Sequence, residues 1–152
     1  MRKWYKHLKN QKGLTLIELL AVVVILGIIA AIAVPAVGNI IDNSKKDAHV
    51  ANALLIINAA KLGVVSNAIN KSEITGNENI TLTELVDKKL LDSIPSDPDS
   101  DAAYLNGQIN MNVEGKYTIY LEGAQYKLGS SASNQISEAD LNKNGRNAVS
   151  KK

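Results

Sequence analysis

The stretch that decides the fold of this chain is Lys12-Gly13-Leu14-Thr15-Leu16-Ile17-Glu18-Leu19-Leu20, and an uncharged apolar run extends it to Ile41. The segment before Gly13 carries basic residues and no acid; these are Arg2, Lys3, Lys6, Lys9 and Lys12. Because Lys and Arg concentrate on the cytoplasmic side of a membrane segment, this leader predicts an N-terminus inside the cell, with the rest of the chain outside.

Residues 19–41 contain no charged side chain and are dominated by Leu, Val, Ile and Ala. About 20 helical residues, at a rise of about 1.5 Å each, span the roughly 30 Å of a bilayer's hydrocarbon core. We therefore predict an apolar transmembrane helix over residues 14–41. Glu18 is the exception within it. Since an ionised carboxylate is costly in lipid, Glu18 is expected to have a function and a partner.

Two other interpretations of the N-terminus are an uncleaved signal anchor and an ordinary secretory signal peptide cut after small residues such as Ala31-Ile32-Ala33. An ordinary signal has only about 7–15 apolar residues, and the run here is longer. Neither interpretation requires an acid at the start of the run. Both therefore leave Glu18 unexplained.

The pattern Gly13-Leu14-Thr15-Leu16-Ile17-Glu18 resembles the class III signal peptide of type IV prepilins and related pseudopilins. Glu18 is the fifth residue counted from Leu14, and Pro35 is the twenty-second. The chain departs from the family at Leu14, where Phe is more common. The resemblance implies that a prepilin peptidase cuts after Gly13 and methylates the new amine of Leu14. It also implies that Glu18 pairs with that amine on an adjacent subunit, and that the helix unwinds or kinks between Gly27 and Pro35.

The same resemblance implies a structural subunit of a type IV pilus or pilus-like filament, not an enzyme. Its partners would be other pilins in a homo-oligomeric or hetero-oligomeric filament, the prepilin peptidase, the membrane, and an assembly ATPase with its platform protein. The subunit would cross the cytoplasmic membrane once and then enter an extracellular pilus or pseudopilus. One alternative is a competence or type II secretion pseudopilin, which shares this N-terminus. Another is an unrelated single-pass anchored binding domain, which needs neither Gly13 nor Glu18.

Three regions follow from these patterns: a cleaved leader over 1–13, the apolar helix over 14–41, and a head over 42–152. Apolar residues at helical spacing extend the long helix over 42–70, in two neighbouring stripes. One stripe is Val50, Leu54, Ile57, Val64 and Ala68, and the other is Ala51, Leu55, Leu62, Val65 and Ile69. Either one stripe packs on the chain's own sheet while the other meets neighbouring subunits, or the whole helix is well buried.

The sequence of the rest of the head predicts a short helix and a sheet. The predicted fold class is therefore α+β and type IV pilin-like. Thr81-Leu82-Thr83-Glu84 is a capping-box pattern that opens a helix over about 82–92, before Pro95. Alternating apolar residues predict an antiparallel β-meander over about 104–129, packed against the long helix. These residues are Ile109, Met111, Val113, Tyr117, Ile119 and Leu121. The polar tail after Gly129 is expected to be loop or frayed end, with one helical turn near Ser137.

The charge of the mature chain argues against a broad surface for nucleic acid. The sequence has 17 basic and 15 acidic residues, and removal of the leader's five basic residues leaves 12 basic side chains and a net side-chain charge of −3. A local basic patch at the C-terminus remains, and it is better explained as a solvated tail; its members are Lys143, Arg146, Lys151 and Lys152. Nucleic acid is therefore not indicated as a partner outside the competence alternative.

No catalytic constellation is evident, and no cofactor is expected. The two histidines, His7 and His49, have no nucleophile or second histidine at ligand spacing. Solvated loop charge is the preferred explanation of Asp97, Asp99 and Asp101, with a calcium loop as the alternative. A second calcium alternative is the set Asp140, Asn142 and Asn144, whose spacing matches the first half of an EF-hand loop. The chain has no cysteine, so packing or a metal must hold the head together without disulfides.

Overall fold

The computed structural model of this protein describes residues 15–70, 79–111 and 115–152. The chain divides into two compact units, 1–39 and 40–152, and the second unit contains the sheet. The predicted leader, including the cleavage residues Gly13 and Leu14, lies outside the described residues. So does Val113, which the alternating pattern assigned to a strand.

Helix α1 (Leu16–Val65) is a single helix, with Pro35 inside it. The apolar spacing predicts that this helix ends near Asn70, but it ends at Val65. The backbone of Asn67 has a φ of 57°, the left-handed conformation that asparagine tolerates better than most residues. The N–H of Ile69 then donates to the carbonyl of Gly63, over 3.0 Å. This reversal ends the helix and turns Ile69 into the core, where it is buried.

Within the head, α1 buries a face that adjoins the first predicted stripe, in which Ile57 is buried and Val50, Leu54 and Val64 are half-buried. The helical residues of the second stripe are exposed. The side chains of Leu55, Leu62 and Val65 are 50%, 59% and 80% exposed. The buried residues lie along the other side of the helix and are His49, Ala53, Ile56, Ile57, Ala59, Ala60 and Gly63. The alternative of a helix buried on both stripes is therefore wrong for the described chain. The exposed stripe adds to the unburied apolar surface of α1.

The sheet is antiparallel and has the strand order β1-β2-β3-β4-β6, with β5 paired to β3. The strands are β1 (Ile80–Thr81), β2 (Asn106–Met111), β3 (Tyr117–Glu122), β4 (Tyr126–Leu128), β5 (Ile136–Ser137) and β6 (Val149–Lys151). Their register aligns apolar residues across the strands, because Ile119 lies opposite both Ile109 and Ile136, and Leu128 lies opposite both Leu121 and Val149. With the long α1, this sheet confirms the predicted α+β, type IV pilin-like fold class.

The short helix α2 (Leu82–Asp87) begins at the predicted capping box, in which Thr81 and Glu84 satisfy each other's backbone N–H groups. It is shorter than the predicted span of 82–92. Lys89 takes a left-handed φ of 57°, and the N–H of Leu90 donates back to the carbonyl of Leu85. Leu90 and Leu91 pack against the core although they lie beyond the end of the helix. Their apolar side chains therefore continue the helical spacing and make the predicted helix too long.

The prediction of a loop or frayed tail is wrong. The tail forms helix α3 (Glu138–Asn144), a 3₁₀ helix (Gly145–Ala148) and strand β6. Leu141 is fully buried, and β6 extends the sheet beyond β4. Glu138 also pairs with Lys61 of α1. Two strand pairings, β5 with β3 and β6 with β4, and the buried side chains of Leu141 and Val149 therefore hold a segment whose composition is mostly polar.

Candidate functional site

The first turn of α1 holds the carboxylate that the sequence singled out. Glu18 Oε2 accepts hydrogen bonds from the backbone N–H of Thr15 and from its hydroxyl, each over 2.8 Å. The N–H of Glu18 donates in return to Thr15 Oγ1, over 3.3 Å. These reciprocal bonds are those of a capping box, which supplies partners for the free N–H groups at a helix start. Glu18 therefore has a local structural role in addition to any partner in an assembly.

Sequence reasoning missed this cap, although the signal was available. Thr15-Leu16-Ile17-Glu18 has the same Thr-x-x-Glu spacing that identified the start of α2 at Thr81. The expected partner on another subunit explains the charge of Glu18, and the local Thr-x-x-Glu spacing explains its position three residues after Thr15. Within the described chain, the hydrogen bonds that the Glu18 carboxylate accepts all go to Oε2. Both uses of the carboxylate are therefore compatible.

The part of α1 that follows Glu18 exposes its apolar side chains on every face up to Ile41. It is the one helix among the described residues that is long and apolar enough to cross a membrane. The two residues expected to weaken it, Gly27 and Pro35, both lie within the helix. A side chain at Gly27 would meet no other atom within 4 Å. The described contacts therefore give no packing reason for glycine at this position.

A second polar site lies in the head, where sequence reasoning expected solvated charge. His49 and Asp97 are each only 1% exposed, and the side chain of Asp99 is 0% exposed. His49 Nε2 is 3.2 Å from Asp99 Oδ2 and 3.7 Å from Asp97 Oδ1. On the other side of the ring, His49 Nδ1 is 2.9 Å from Tyr104 Oη. We call these four residues the His49 cluster.

The loop between α2 and β2 brings the two aspartates to the helix. Asp97 accepts hydrogen bonds from the N–H of Asp99 (3.0 Å), the hydroxyl of Ser100 (3.1 Å) and the N–H of Ala124 (2.7 Å). Burial by itself would raise the pKa of Asp97, but these donors and nearby His49 outweigh it and hold the pKa below its ordinary value. Asp97 therefore stays ionised inside the fold.

Asp99 and Tyr104 complete the network. Asp99 Oδ2 also accepts the N–H groups of Gln125 and Tyr126, each over 3.2 Å. Tyr104 Oη accepts a hydrogen bond from Asn52 Nδ2, over 3.2 Å. Burial, together with the charges of Asp97 and Asp99, raises the pKa of Tyr104 to about 12. Its hydroxyl consequently keeps its proton and can both donate and accept.

The expectation of solvated loop charge is thus wrong for Asp97 and Asp99, whereas Asp101 is exposed as expected. The sequence contained part of the missing signal. His49 precedes Ala53, Ile56 and Ala60 at helical spacing, which places it on the buried face of α1. No local pattern connects that face with a loop 50 residues further along the chain.

The EF-hand geometry expected of Asp140, Asn142 and Asn144 is not present. All three lie in α3, where alternate side chains point to different sides of the helix and cannot converge on one ion. Asp140 instead accepts a 2.6 Å hydrogen bond from the hydroxyl of Ser137, the N-cap residue. In the C-terminal basic group, Arg146 pairs with Asp47 and Lys152 with Glu122, each at 2.7 Å.

Residues 8–34 match the family described as the prokaryotic N-terminal methylation motif. This motif is the class III signal peptide of the type IV pilin and pseudopilin family, and the match confirms the resemblance drawn from the sequence. The motif implies processing by a peptidase and assembly with other pilins into a filament. Together with the apolar part of α1, it fits membrane anchoring. No solved structure is significantly similar to this chain.

Proposed function

We propose that this protein is a structural subunit of a type IV pilus or pilus-like filament, made as a membrane-anchored precursor. The observation that carries the proposal is the position of Glu18 in α1. It is the one acid in the first turn of a helix whose next 23 residues, 19–41, are uncharged and exposed. Such a helix needs lipid around it before assembly and other helices around it afterwards.

The exposed stripe of the head helix supports the same function. Leu55, Leu62 and Val65 lie on α1 beyond the apolar segment and are not covered by the chain's own sheet. A helix that presents apolar side chains along this much of its length is suited to pack against copies of itself. The sheet, by contrast, has its own buried core.

The role of Glu18 in this proposal depends on charge. Cleavage after Gly13 would free a positively charged amine on Leu14, and the carboxylate of a neighbouring subunit could pair with it. In surroundings of low dielectric, each charge left without its partner is strongly destabilising. The pairing would therefore favour the spacing along the filament axis that brings Glu18 of one subunit next to the Leu14 amine of its neighbour. The cap formed with Thr15 would hold the carboxylate in place.

Processing is the step that tests the proposal. Protein sheared from cells should begin at Leu14, with one added methyl group on its amine, by intact mass and N-terminal sequencing. Replacement of Gly13 by the bulky Leu (Gly13→Leu) should leave the full-length precursor in the membrane. The matched control in the leader, Gln11→Ala, should be processed normally. Filament subunits that retain Trp4 would contradict the proposal.

The same preparations separate the alternatives of filament type. Long sheared filaments that contain the processed chain favour a pilus. A processed chain that stays with the cell envelope favours a competence or type II secretion pseudopilus. An uncut chain that is functional in the membrane would instead favour an anchored binding domain.

A further inference from the structure

We propose that His49, Asp97 and Asp99 bind one divalent transition-metal ion, and that the ion is Zn²⁺. The site lies wholly within the head and does not depend on the proposed filament function. Its ligands would be His49 Nε2 and carboxylate oxygens of Asp97 and Asp99. The ion would link α1 to the loop between α2 and β2.

The distances between the three side chains suit a zinc ion. One potential ligand atom from each residue lies within 4.8 Å of the other two. The imidazole nitrogen Nε2 is 3.2 Å from Asp99 Oδ2 and 3.7 Å from Asp97 Oδ1. Zinc bonds to nitrogen and oxygen of about 2.0–2.2 Å in a tetrahedral arrangement separate the ligand atoms by roughly 3.4 Å. The observed separations lie on either side of that value.

A buried oxygen without a partner points independently to a cation. Asp99 Oδ1 is shielded from solvent and has no hydrogen-bond partner in the described part of the chain. Lys45 Nζ approaches it only to 3.8 Å, and that side chain is 30% exposed, so it can turn towards solvent. Buried carboxylate oxygens are normally satisfied, because an unpaired one keeps the desolvation penalty without any compensation. An ion bound by both oxygens of Asp99 would supply the missing partner of Oδ1 while it keeps the contact with Oδ2.

The surrounding residues already orient the three ligands. Backbone N–H groups and the Ser100 hydroxyl hold Asp97, and the N–H groups of Gln125 and Tyr126 hold Asp99. Zinc binding at Nε2 would leave the ring proton on Nδ1, where Tyr104 Oη is in place to accept it at 2.9 Å. Metal-bound histidines usually have such a partner on the other ring nitrogen. Tyr104 would therefore be a positioning residue.

The donor set selects among metals. Ca²⁺ and Mg²⁺ prefer six or more oxygen ligands, and an imidazole nitrogen is a poor substitute. Zn²⁺ readily takes one imidazole with carboxylates and needs about four ligands, so water would complete the set. In a chain without cysteine, such a link would stabilise the head in the way that a disulfide stabilises other small exported domains.

The test uses the full-length chain in detergent, purified without a histidine tag and stripped with a chelator. Equilibrium dialysis against Zn²⁺, followed by elemental analysis, should give about one zinc ion per folded chain. Added zinc should raise the midpoint of thermal unfolding, chelator should reverse the shift, and Ca²⁺ at the same concentration should not reproduce it. A stripped wild-type chain that takes up less than ~0.1 zinc per chain would overturn the proposal.

Variants assign the binding to this cluster. His49→Gln and Asp99→Asn should each weaken zinc binding by at least about tenfold, and Tyr104→Phe should weaken it by ~10-fold through the histidine. His7→Asn removes the other histidine, and Asp101→Asn removes an exposed acid of the same loop. Both controls should bind as the wild type does. If His7→Asn abolished binding, or His49→Gln retained it, the proposed site would be wrong.

A measurement on the wild type covers the case in which a cluster variant fails to fold. X-ray absorption at the zinc edge should give one imidazole ligand, with oxygen ligands making up the remainder. A spectrum without an imidazole contribution would overturn the assignment. The result is read from purified protein, so it is independent of whether the chain forms filaments.

Discussion

Glu18 combines two separable properties, because its carboxylate both accepts hydrogen bonds and carries charge. The bonds from Thr15 need only an acceptor, which a glutamine amide also provides. Pairing with the amine of a neighbouring Leu14 needs the charge. Substitutions at this one position can therefore distinguish capping from assembly.

We expect Glu18→Ala and Glu18→Gln to insert into the membrane and to be processed at Gly13 as the wild type is. Both should assemble poorly, since neither can neutralise the amine of an adjacent subunit. The measurement is the yield of sheared filaments relative to the processed subunit in the membrane. Thr15→Ala, which weakens the cap and keeps the charge, is the matched control and should retain most assembly. Wild-type filament yield from Glu18→Gln would assign Glu18 to capping alone.

Gly123 lies in the turn between β3 and β4, which packs so closely on the His49 cluster that there is no room for a side chain at this position. A Cβ at this position would lie 2.7 Å from Asp97 Oδ1 and 3.0 Å from His49 Cε1. Asp97 cannot easily move away, because the next residue in the turn, Ala124, donates to its other oxygen. The lack of a side chain at residue 123 thus allows the turn to close over the buried carboxylate.

Gly123→Ala should consequently lower the free energy of unfolding by about 1–3 kcal/mol, the usual cost of overpacking a well-packed interior. Urea unfolding of the full-length chain in detergent, followed by circular dichroism, measures this. Gly38→Ala is the control, because a Cβ there meets nothing within 4 Å and alanine favours a helix. Equal stability of Gly123→Ala and wild type would show that the turn can move aside.

Among the elements, the proposed function requires α1 to serve in two environments, first lipid and then a filament core. It runs through Gly27 and Pro35 without interruption. Proline removes one hydrogen bond, and glycine in a helix is roughly 1 kcal/mol less favourable than alanine. In lipid, unwinding would leave backbone groups unsatisfied, so the helix is expected to persist in the membrane. In a filament core, surrounding helices can compensate for the lost bonds.

We therefore expect the segment between Gly27 and Pro35 to unwind on assembly and to act as an extensible joint under load. A cryo-EM map of the filament should show non-helical backbone there, with helix on either side. The double variant Gly27→Ala, Pro35→Ala should keep the helix continuous and give less extensible filaments in force measurements. Unbroken helical density from Leu20 to Ile40 in the wild-type filament would instead mean that Pro35 only bends the helix.

At the scale of the whole molecule, the head depends on its C-terminal residues. Strand β6 supplies the outer partner of β4, and Val149 lies opposite Leu128 at the edge of the core. Arg146 and Asp47 connect the same region to α1. The last residues of the chain therefore belong to the folded unit and not to a dispensable tail.

The head, residues 42–152, should fold as a soluble monomer by circular dichroism and size exclusion, because its helix face and sheet bury each other. Removal of residues 149–152 should lower its free energy of unfolding by about 2 kcal/mol or more, because the pairing of β6 with β4 and the burial of Val149 against Leu128 are both lost. Lys152→Ala keeps β6 and removes a partly exposed pair with Glu122 and a 3.3 Å hydrogen bond to the carbonyl of Gly123, so it should cost less than about 1 kcal/mol. Unchanged stability on truncation would contradict this role of β6.

Local periodicity and motif spacing are sufficient to predict one group of features from the amino-acid sequence. The length of the apolar run, the signal around Gly13 and Glu18, and the alternation around Ile109 and Ile119 were enough for the α+β, pilin-like fold class. Each signal lies within one element, and its physical cause is the repeat of a helix or strand, or the thickness of a membrane. The resemblance to prepilins followed from the same short segment.

Features that depend on contacts between distant segments cannot be predicted in this way. The polar composition of the tail favours a loop, but its few apolar residues, such as Leu141 and Val149, gain their stability from the rest of the core and not from a local pattern. Asp97 and Asp99 lie in a loop, where acids are usually exposed. They are buried because α1 carries His49 to them from 50 residues away, and because the β3–β4 turn supplies backbone N–H donors. Burial of charge is a property of the assembled fold, since the partners that make it favourable come from several elements.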